Sequence, residues 1–176
     1  MAVHPDMRRG VAPPCRLVPF EPAWAERVIS WVRDEREAYW LAPKTCPPLT
    51  AQEILRWREP GHEPYMLVQA GRAEPLAYGE LNLFGLARRQ YWLGHLIVDG
   101  AQRGHGYGIE LTRRLLEEAF ERRGARRVTL VVFADNAAAL ACYRAAGMVD
   151  DGYEWHQFPA YGRRECLVRF SAARLG

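Results

Sequence analysis

The segment from Tyr91 to Phe133 constrains the fold more than any other part of the chain. Tyr91–Val98 is an extended apolar run, and an amphipathic helical pattern follows from about Ile109 to Arg123. Val128–Phe133 is an unbroken run of apolar residues rich in β-branched side chains, which is typical of a strand covered on both faces. Because strand–helix–strand connections join parallel neighbours, the sequence predicts an α/β fold with a parallel strand pair.

The rest of the chain predicts antiparallel strands and helices around this pair. Short turns separate the strands that precede Tyr91, as in hairpins, and the tail has the pattern of a last hairpin. The result is a mixed central sheet, antiparallel at first with a central parallel strand pair, and flanked by helices. The other predicted elements are the strands Cys15–Glu21, Tyr65–Ala70, Leu76–Phe84, Tyr153–Phe158 and Glu165–Phe170 and the helices Ala23–Ala42, Thr50–Arg58 and Asn136–Ala146.

Composition limits the class of protein. A chain of 176 residues with 49% hydrophobic and 26% charged residues predicts one domain, residues 15–176, after a flexible segment, residues 1–14. The net charge is only +3 and the arginines are scattered, so we expect no nucleic-acid partner. No apolar run could span a bilayer, and the cysteine spacing fits neither a metal site nor a disulfide framework. We expect a cytoplasmic protein with reduced thiols and no metal, and a homodimer remains open.

A glycine-rich turn, Arg103-Gly104-His105-Gly106-Tyr107-Gly108, joins a strand to the following helix. Glycines let a ligand approach the backbone, and the first amides of a helix have no partners within the helix, so this turn predicts an anion site suited to a pyrophosphate. A dinucleotide fingerprint is a poor fit, because its last glycine position is occupied by Ile109. A Walker A loop is also a poor fit, because the only lysine of the chain is Lys44.

The turn resembles the acetyl-CoA loop of the GNAT N-acetyltransferase family, Gln/Arg-x-x-Gly-x-Gly/Ala, through Arg103, Gly106 and Gly108. A second family signature is matched downstream by Asn136, Ala139, Tyr143 and Gly147. Gly100 stands where the family often has proline, and Met148 where it usually has phenylalanine. The two patterns occur in the family's order on the expected elements, so the resemblance implies the GNAT fold over the domain.

The resemblance implies acetyl-CoA as cosubstrate and assigns its contacts. Amides of the turn would hold the pyrophosphate, and the backbone of the strand before it would bind the pantetheine arm and the acyl carbonyl. Asn136 either caps the next helix or contacts the pantetheine. Tyr143 lies two helical turns later on the same face, roughly 10 Å along the axis, which favours the contact. The predicted cofactor-binding residues are Leu96, Ile97, Val98, Arg103, Gly104, His105, Gly106, Tyr107, Gly108, Ile109, Asn136 and Tyr143.

Direct attack of a neutral amine on a thioester needs a proton acceptor, an oxyanion donor and a proton donor. We expect Tyr143 to be the general acid and a backbone N–H near Val98 to be the oxyanion donor. Glu80 is the candidate general base, on one strand face with Tyr78 and Asn82, with a pKa raised by desolvation. Alternatively Glu80 is a solvent-facing strand residue, and either His95 or a water chain acts as the base.

The predicted function is therefore transfer of an acetyl group to a primary amine of a small molecule or protein. The alternative is a non-catalytic acyl-CoA-binding sensor or interaction module, which would have no use for a proton donor at the sulfur. Aromatic and acidic residues of the early helices, among them Glu37, Trp40 and Trp57, could hold a cationic amine or could be core and solvated surface. The sequence does not name the acceptor.

Overall fold

The computed structural model describes residues 14–174, and the strands in this part form one mixed sheet. The strands are β1 (Cys15–Pro19), β2 (His62–Gln69), β3 (Ala77–Gly85), β4 (Gln90–Val98), β5 (Arg127–Phe133), β6 (Val149–Phe158) and β7 (Arg163–Ala173). Their order in the sheet is β1-β2-β3-β4-β5-β7-β6. Only β4 and β5 pair in parallel, and all other neighbours within residues 14–174 are antiparallel. This topology confirms the predicted fold class.

The helices lie on both faces of the sheet: α1 (Ala25–Ser30), α2 (Glu35–Leu41), α3 (Ala51–Arg56), α4 (Tyr107–Glu117) and α5 (Ala137–Ala145). The prediction of one helix over Ala23–Ala42 is wrong, because the chain breaks between α1 and α2. Asp34 adopts an extended conformation there, and its side chain accepts a hydrogen bond from the amide of Glu37, which begins α2. Thr50 caps α3, since its side chain accepts a hydrogen bond from the amide of Glu53.

Helix α4 begins two residues before the predicted start, because Gly106 at φ 83° caps it in the left-handed region. Tyr107, Gly108 and Ile109 therefore lie in its first turn. Its C-terminal end also differs from the prediction. The α-helix ends at Glu117, and a π-helical turn, Glu118–Arg122, continues it to Arg122, two residues before Gly124 at φ 63°.

Two apolar clusters fix the helices to opposite faces of the sheet. On one face, α4 contributes Leu111 and Leu115, which pack with Leu81 of β3 and Phe170 of β7. On the other face, Val28, Trp31 and Ile54 pack with Met66 and Tyr78. These core residues are at most 3% exposed, so the early helices and α4 hold the sheet between them.

Strands β4 and β5 pair only near their beginnings. The parallel register runs from Gln90 and Arg127 to Trp92 and Thr129, and the strands diverge beyond that point. Strand β4 also bulges where it diverges, since Glu80 pairs with Gly94 and Tyr78 pairs with Ile97. His95 lies in this bulge at φ 49°, a left-handed conformation that is rare for a residue with a side chain.

The predicted division into a flexible segment, residues 1–14, and one domain, residues 15–176, stays a prediction. Residues 1–13 and 175–176 lie outside the described part of the chain.

Candidate active site

A cleft of about 1460 Å³ opens between the diverging ends of β4 and β5. The glycine-rich turn and α5 line one end, and residues of α3 and β2 line the other. Most of the predicted site residues lie together on its walls: Leu96, Ile97, Val98, Arg103, Gly104, Gly106, Tyr107, Gly108, Ile109, Asn136 and Tyr143. The cleft walls include neither Glu80 nor His105.

The glycine-rich turn presents backbone donors to the cleft. Gly104 and Gly106 have φ of 79° and 83°, and a side chain at either position would meet no atom within 4 Å. Within residues 14–174, the amides of Gly104, His105 and Gly106 donate to no backbone acceptor. The His105 ring stays outside the cleft, with Nδ1 3.2 Å from the carbonyl oxygen of Gln102. Open donors at the start of an eleven-residue helix fit a phosphate group.

Helices α4 and α5 approach closely beside this turn. A Cβ added at Gly108 would lie 3.1 Å from Sγ of Cys142. Such a contact is tighter than side chains ordinarily make, so the small residue at position 108 lets the two helices form one wall.

The side chain of Arg103 is bound by α2, by the segment that precedes α2 and by the end of β4. Its guanidinium donates to Glu37 Oε1 at 2.6 Å, to the carbonyl of Trp31 at 2.8 Å and to the carbonyl of Val98 at 3.2 Å. Glu37 also accepts from Arg33. The turn is thereby tied to α2 and to the end of β4, a contact between distant segments for which the sequence carries no signal.

We expect the ion pairs of Glu37 to make stability depend on pH. Burial raises the pKa of Glu37. Hydrogen bonds from Arg33 and Arg103 and the charge of Arg103 outweigh burial, so the pKa is lowered from 4.5 to about 2. A lowered folded-state pKa stabilises the fold above the unfolded pKa, and this contribution is lost as the pH falls from about 4.5 towards 2. Glu37→Gln should lower the free energy of unfolding at pH 7 by roughly 1–2 kcal/mol.

Urea denaturation at pH 7 and at several values down to pH 2 measures this effect. The difference between the parent and Glu37→Gln should narrow between pH 4.5 and pH 2. Glu26→Gln, in an exposed residue of α1, is the control and should show little difference at any pH. If the difference in the free energy of unfolding between the parent and Glu37→Gln stays constant with pH, the charge of Glu37 contributes nothing to stability.

The end of β4 offers the cleft a backbone donor. Asp99 donates its N–H to Leu76 on the β3 side, so alternation along the strand directs the N–H and C=O of Val98 to the β5 side. Strand β5 has diverged there, and the Val98 carbonyl is taken by Arg103. The N–H of Val98 is therefore directed into the cleft. The Ile97 side chain is buried in the core, so its side chain belongs to packing.

Helix α5 places Asn136 and Tyr143 on the cleft. Asn136 caps the helix by accepting from the amide of Ala139 at 3.2 Å, so capping is confirmed and a ligand contact stays a prediction. The Tyr143 ring packs edge-on against Phe170 at 5.8 Å. Its hydroxyl has no hydrogen-bond partner within residues 14–174, and burial raises the pKa of this phenol.

Glu80 lies behind the cleft wall, not in it. Its side chain is 1% exposed and accepts hydrogen bonds from Tyr78 at 2.7 Å and Asn82 at 3.0 Å, which confirms that the three share a strand face. Burial raises its pKa, but the charge of His95 and the hydrogen bonds outweigh burial and lower it. The expected raised pKa is wrong, and so is the alternative of a solvent-facing residue. The catalytic role of Glu80 remains a prediction.

His95 connects Glu80 to the cleft. Its Nδ1 lies 2.9 Å from Oε2 of Glu80, an ion-pair distance without the alignment of a hydrogen bond. The Trp57 ring stacks on the imidazole with centroids 3.8 Å apart and planes 7° apart. Because Nδ1 faces the carboxylate, Nε2 is the ring nitrogen left for the cleft, which His95 lines. The positive φ at the bulge orients this residue.

Other features bear on the remaining predictions. The four cysteines are free thiols. Within residues 14–174 no cluster of His, Cys, Asp and Glu could hold a metal ion. In the same range no helix has the length and apolar character needed to cross a bilayer. A homodimer and the absence of a nucleic-acid partner stay predictions.

Residues 25–148 match the family model described as Acetyltransferase (GNAT) family. The match spans more than half of the chain, and the chain therefore belongs to the GNAT acetyltransferase family. This membership confirms the predicted family, and the predictions of an acyltransferase and of acetyl-CoA as its cosubstrate agree with it.

A curated relative from Mycobacterium leprae (strain TN), described as uncharacterized protein ML0378, is 36% identical over 83 residues. The match covers 47% of this chain but only 22% of that protein, so the chain spans about a fifth of the relative's length.

Two solved structures share the fold. A spermidine N-acetyltransferase from Vibrio cholerae, in complex with CoA and spermine, has a TM-score of 0.73 at 18% identity, covering 90% of this chain and 95% of its own. The aminoglycoside acetyltransferase AAC(6′)-Ib, in complex with coenzyme A, has a TM-score of 0.72 at 18% identity, covering 92% and 95%.

Proposed function

We propose that this protein is a cytoplasmic acetyl-CoA-dependent N-acetyltransferase that acts on a primary amine of a small molecule or protein. The observation that carries the proposal is the divergence of β4 and β5 beyond Trp92, beside the open amides of the glycine-rich turn. A gap between parallel strands with an anion site at its mouth suits a long ligand that ends in phosphates. The free thiols support the cytoplasmic location.

Residues of this chain have the donors that acetyl-CoA requires. Amides from Gly104 to Gly108 would bind the pyrophosphate, while Asn136 and the N–H of Val98 would bind the pantetheine arm and the acyl oxygen. When bound, acetyl-CoA supplies the thioester carbonyl that the amine attacks. The N–H of Val98 would then stabilise negative charge on that carbonyl oxygen.

Tyr143 is the proposed general acid. Its pKa is raised by burial, so the phenol keeps its proton throughout the neutral and alkaline working range. A hydroxyl without a partner among residues 14–174 is free to donate to the departing sulfur, and Tyr143 lies on the cleft wall from which it would do so.

His95, positioned by Glu80, is the proposed general base. The buried carboxylate does not line the cleft, so direct contact between Glu80 and an amine is disfavoured. The imidazole is exposed enough to meet the acceptor, and the charge of Glu80 stabilises the imidazolium that forms when Nε2 takes the proton. A carboxylate that orients a histidine is a common arrangement for proton transfer.

The alternative function is a sensor that binds acyl-CoA without turnover. It would give no chemical role to the His95–Glu80 pair or to Tyr143. The test is a thiol-release assay with acetyl-CoA across primary amines of different classes. Amine-dependent release would support the enzyme. Acetyl-CoA binding without release for any amine would favour the sensor.

Acetyl-CoA should raise the melting temperature, and Gly106→Val should remove that shift. At 100 times Kd a ligand adds about 2.7 kcal/mol, or roughly 5–10 °C for a chain of this size. A valine side chain at position 106 would project into the open space above the amides and block the pyrophosphate. Differential scanning fluorimetry with and without acetyl-CoA measures the shift.

Gly71→Val is the matched control for this experiment. Gly71 has φ 80°, close to the 83° of Gly106, and it also has no atom within 4 Å of an added Cβ. Both variants carry similar backbone strain, but Gly71 does not line the cleft. The acetyl-CoA shift should survive in Gly71→Val. If the acetyl-CoA shift also survives in Gly106→Val, the glycine-rich turn does not bind acetyl-CoA.

A further inference from the structure

An aromatic surface, formed by Trp92, His62 and Phe84, lines the cleft near the point where β4 and β5 still pair. Trp92 is the last residue of β4 that pairs with β5, so its ring lies where the two strands begin to diverge. His62 meets that ring edge-on, with centroids 5.8 Å apart and planes at 86°, and its Nδ1 lies 3.1 Å from the carbonyl oxygen of Trp57. Phe84 is 72% exposed on the same cleft. We call these three side chains the aromatic platform.

The absence of a side chain at Gly94 leaves room for the Trp92 ring. A Cβ added at Gly94 would overlap Cζ3 of Trp92, lie 2.8 Å from its Cη2 and lie 3.2 Å from Nδ2 of Asn82. The indole therefore lies over the bare backbone of Gly94, and any larger residue at that position must displace it. Gly94 directly precedes His95, and both the Trp92 ring and the proposed base line the same cleft.

The charges that line the cleft do not suit an acceptor with several ammonium groups. Glu37 is paired with Arg33 and Arg103, and Glu154 is paired with Arg169 and His156. Among the described residues that line the cleft, Glu59 is the one carboxylate left without an ion pair. Basic residues outnumber carboxylates on these walls: Arg33, Lys44, Arg56, Arg103, Arg127 and Arg169. A polycation would gain little here, because most nearby negative charge is already neutralised.

We propose that the acceptor is an aryl-alkyl primary amine whose flat ring stacks on the aromatic platform. This inference rests on the proposed function. A flat apolar body is favoured by aromatic contact and by removal of apolar surface from water, neither of which needs further charge. A short alkyl arm carries the amine from the ring over Trp92 to Nε2 of His95.

The experiment compares amines in the thiol-release assay with acetyl-CoA at saturation. The probes are 2-phenylethylamine and tryptamine on one side and spermidine and kanamycin on the other. We expect kcat/KM for the aryl-alkyl amines to exceed that for the polycations by about tenfold or more. Higher kcat/KM for spermidine or kanamycin would overturn this inference and leave the proposed function standing. No release with any amine would overturn both.

Gly94→Ala tests the aromatic platform directly. The added methyl group should displace the Trp92 ring and raise KM for tryptamine about tenfold, while the acetyl-CoA melting shift stays unchanged. Gly85→Ala is the matched control, because a Cβ there meets only Oε1 of Gln90 at 3.9 Å. Trp92→Ala should reproduce the effect if Gly94→Ala fails to fold. Unchanged KM in Gly94→Ala or Trp92→Ala would overturn the inference.

Discussion

His95→Ala is expected to lower kcat/KM for the amine by about 10²-fold or more, because the variant lacks the group that takes the proton from the acceptor. Acetyl-CoA binding should be unaffected, since His95 lies at the bulge and away from the glycine-rich turn. Steady-state kinetics with the best amine from the screen measures the loss, and the acetyl-CoA melting shift measures retained binding.

The chain offers a matched control in a second histidine–glutamate pair. Nε2 of His156 lies 3.0 Å from Oε2 of Glu154, and both residues line the same cleft. His156 and Glu154 are more open to solvent than His95 and Glu80, and they lie on β6, away from the bulge. His156→Ala should therefore keep kcat/KM within a few-fold of the parent. Equal losses in the two variants would show that the kinetics respond to any disturbance of the cleft.

Glu80→Gln separates a positioning carboxylate from a base that contacts substrate. The lowered pKa of Glu80 keeps its carboxylate charged at neutral pH, so the carboxylate can orient the imidazole there. In Glu80→Gln the plateau of the rate profile should fall by roughly tenfold or more, because the imidazole has lost its orienting partner, and an acidic limb should remain.

Glu80→Gln and His95→Ala can also contradict the assignment of His95 as the general base. If Glu80 itself takes the proton, Glu80→Gln should abolish the acidic limb and His95→Ala should keep most of the activity. The pH profile of kcat/KM therefore distinguishes the two assignments even if both substitutions reduce turnover.

Local patterns in the sequence were sufficient to predict the sheet and the glycine-rich turn that begins α4. The apolar run Val128–Phe133, after a strand and a helix, was sufficient to predict the parallel pair, although burial on both faces is incomplete because Val131 is 39% exposed. The glycines of the loop permit φ values that other residues avoid, so their spacing carries information about the backbone. The helix break at Asp34 was missed, because the apolar spacing continues across it from Trp31 to Leu41.

Contacts between distant segments could not be predicted in the same way. Arg103 and Glu37 are 66 residues apart, and nothing in either local pattern indicates their ion pair. Period-2 alternation correctly grouped Tyr78, Glu80 and Asn82, but the bulge brings His95 onto the same carboxylate. Burial alone would raise the pKa of Glu80, and its reversed direction follows from partners that appear only in three dimensions.

Tyr143→Phe is expected to reduce kcat and kcat/KM together by about 10²-fold, with acetyl-CoA affinity nearly unchanged. The substitution removes one hydroxyl that acts only when charge develops on the sulfur. The ring keeps its edge-on contact with Phe170, so the fold and the cleft wall should be retained. Since the hydroxyl has no protein partner within residues 14–174, its removal leaves no donor or acceptor unpaired.

Tyr153→Phe is the control for the loss of a phenolic hydroxyl, because Tyr153 is 73% exposed on β6 and does not line the cleft. Its kcat should equal that of the parent. Full kcat in Tyr143→Phe would make Tyr143 a packing residue, and weaker acetyl-CoA binding with normal kcat would limit its role to lining the channel. A joint loss of kcat and kcat/KM at constant affinity is the result that only a proton donor to sulfur predicts, and a sensor without turnover could not produce it.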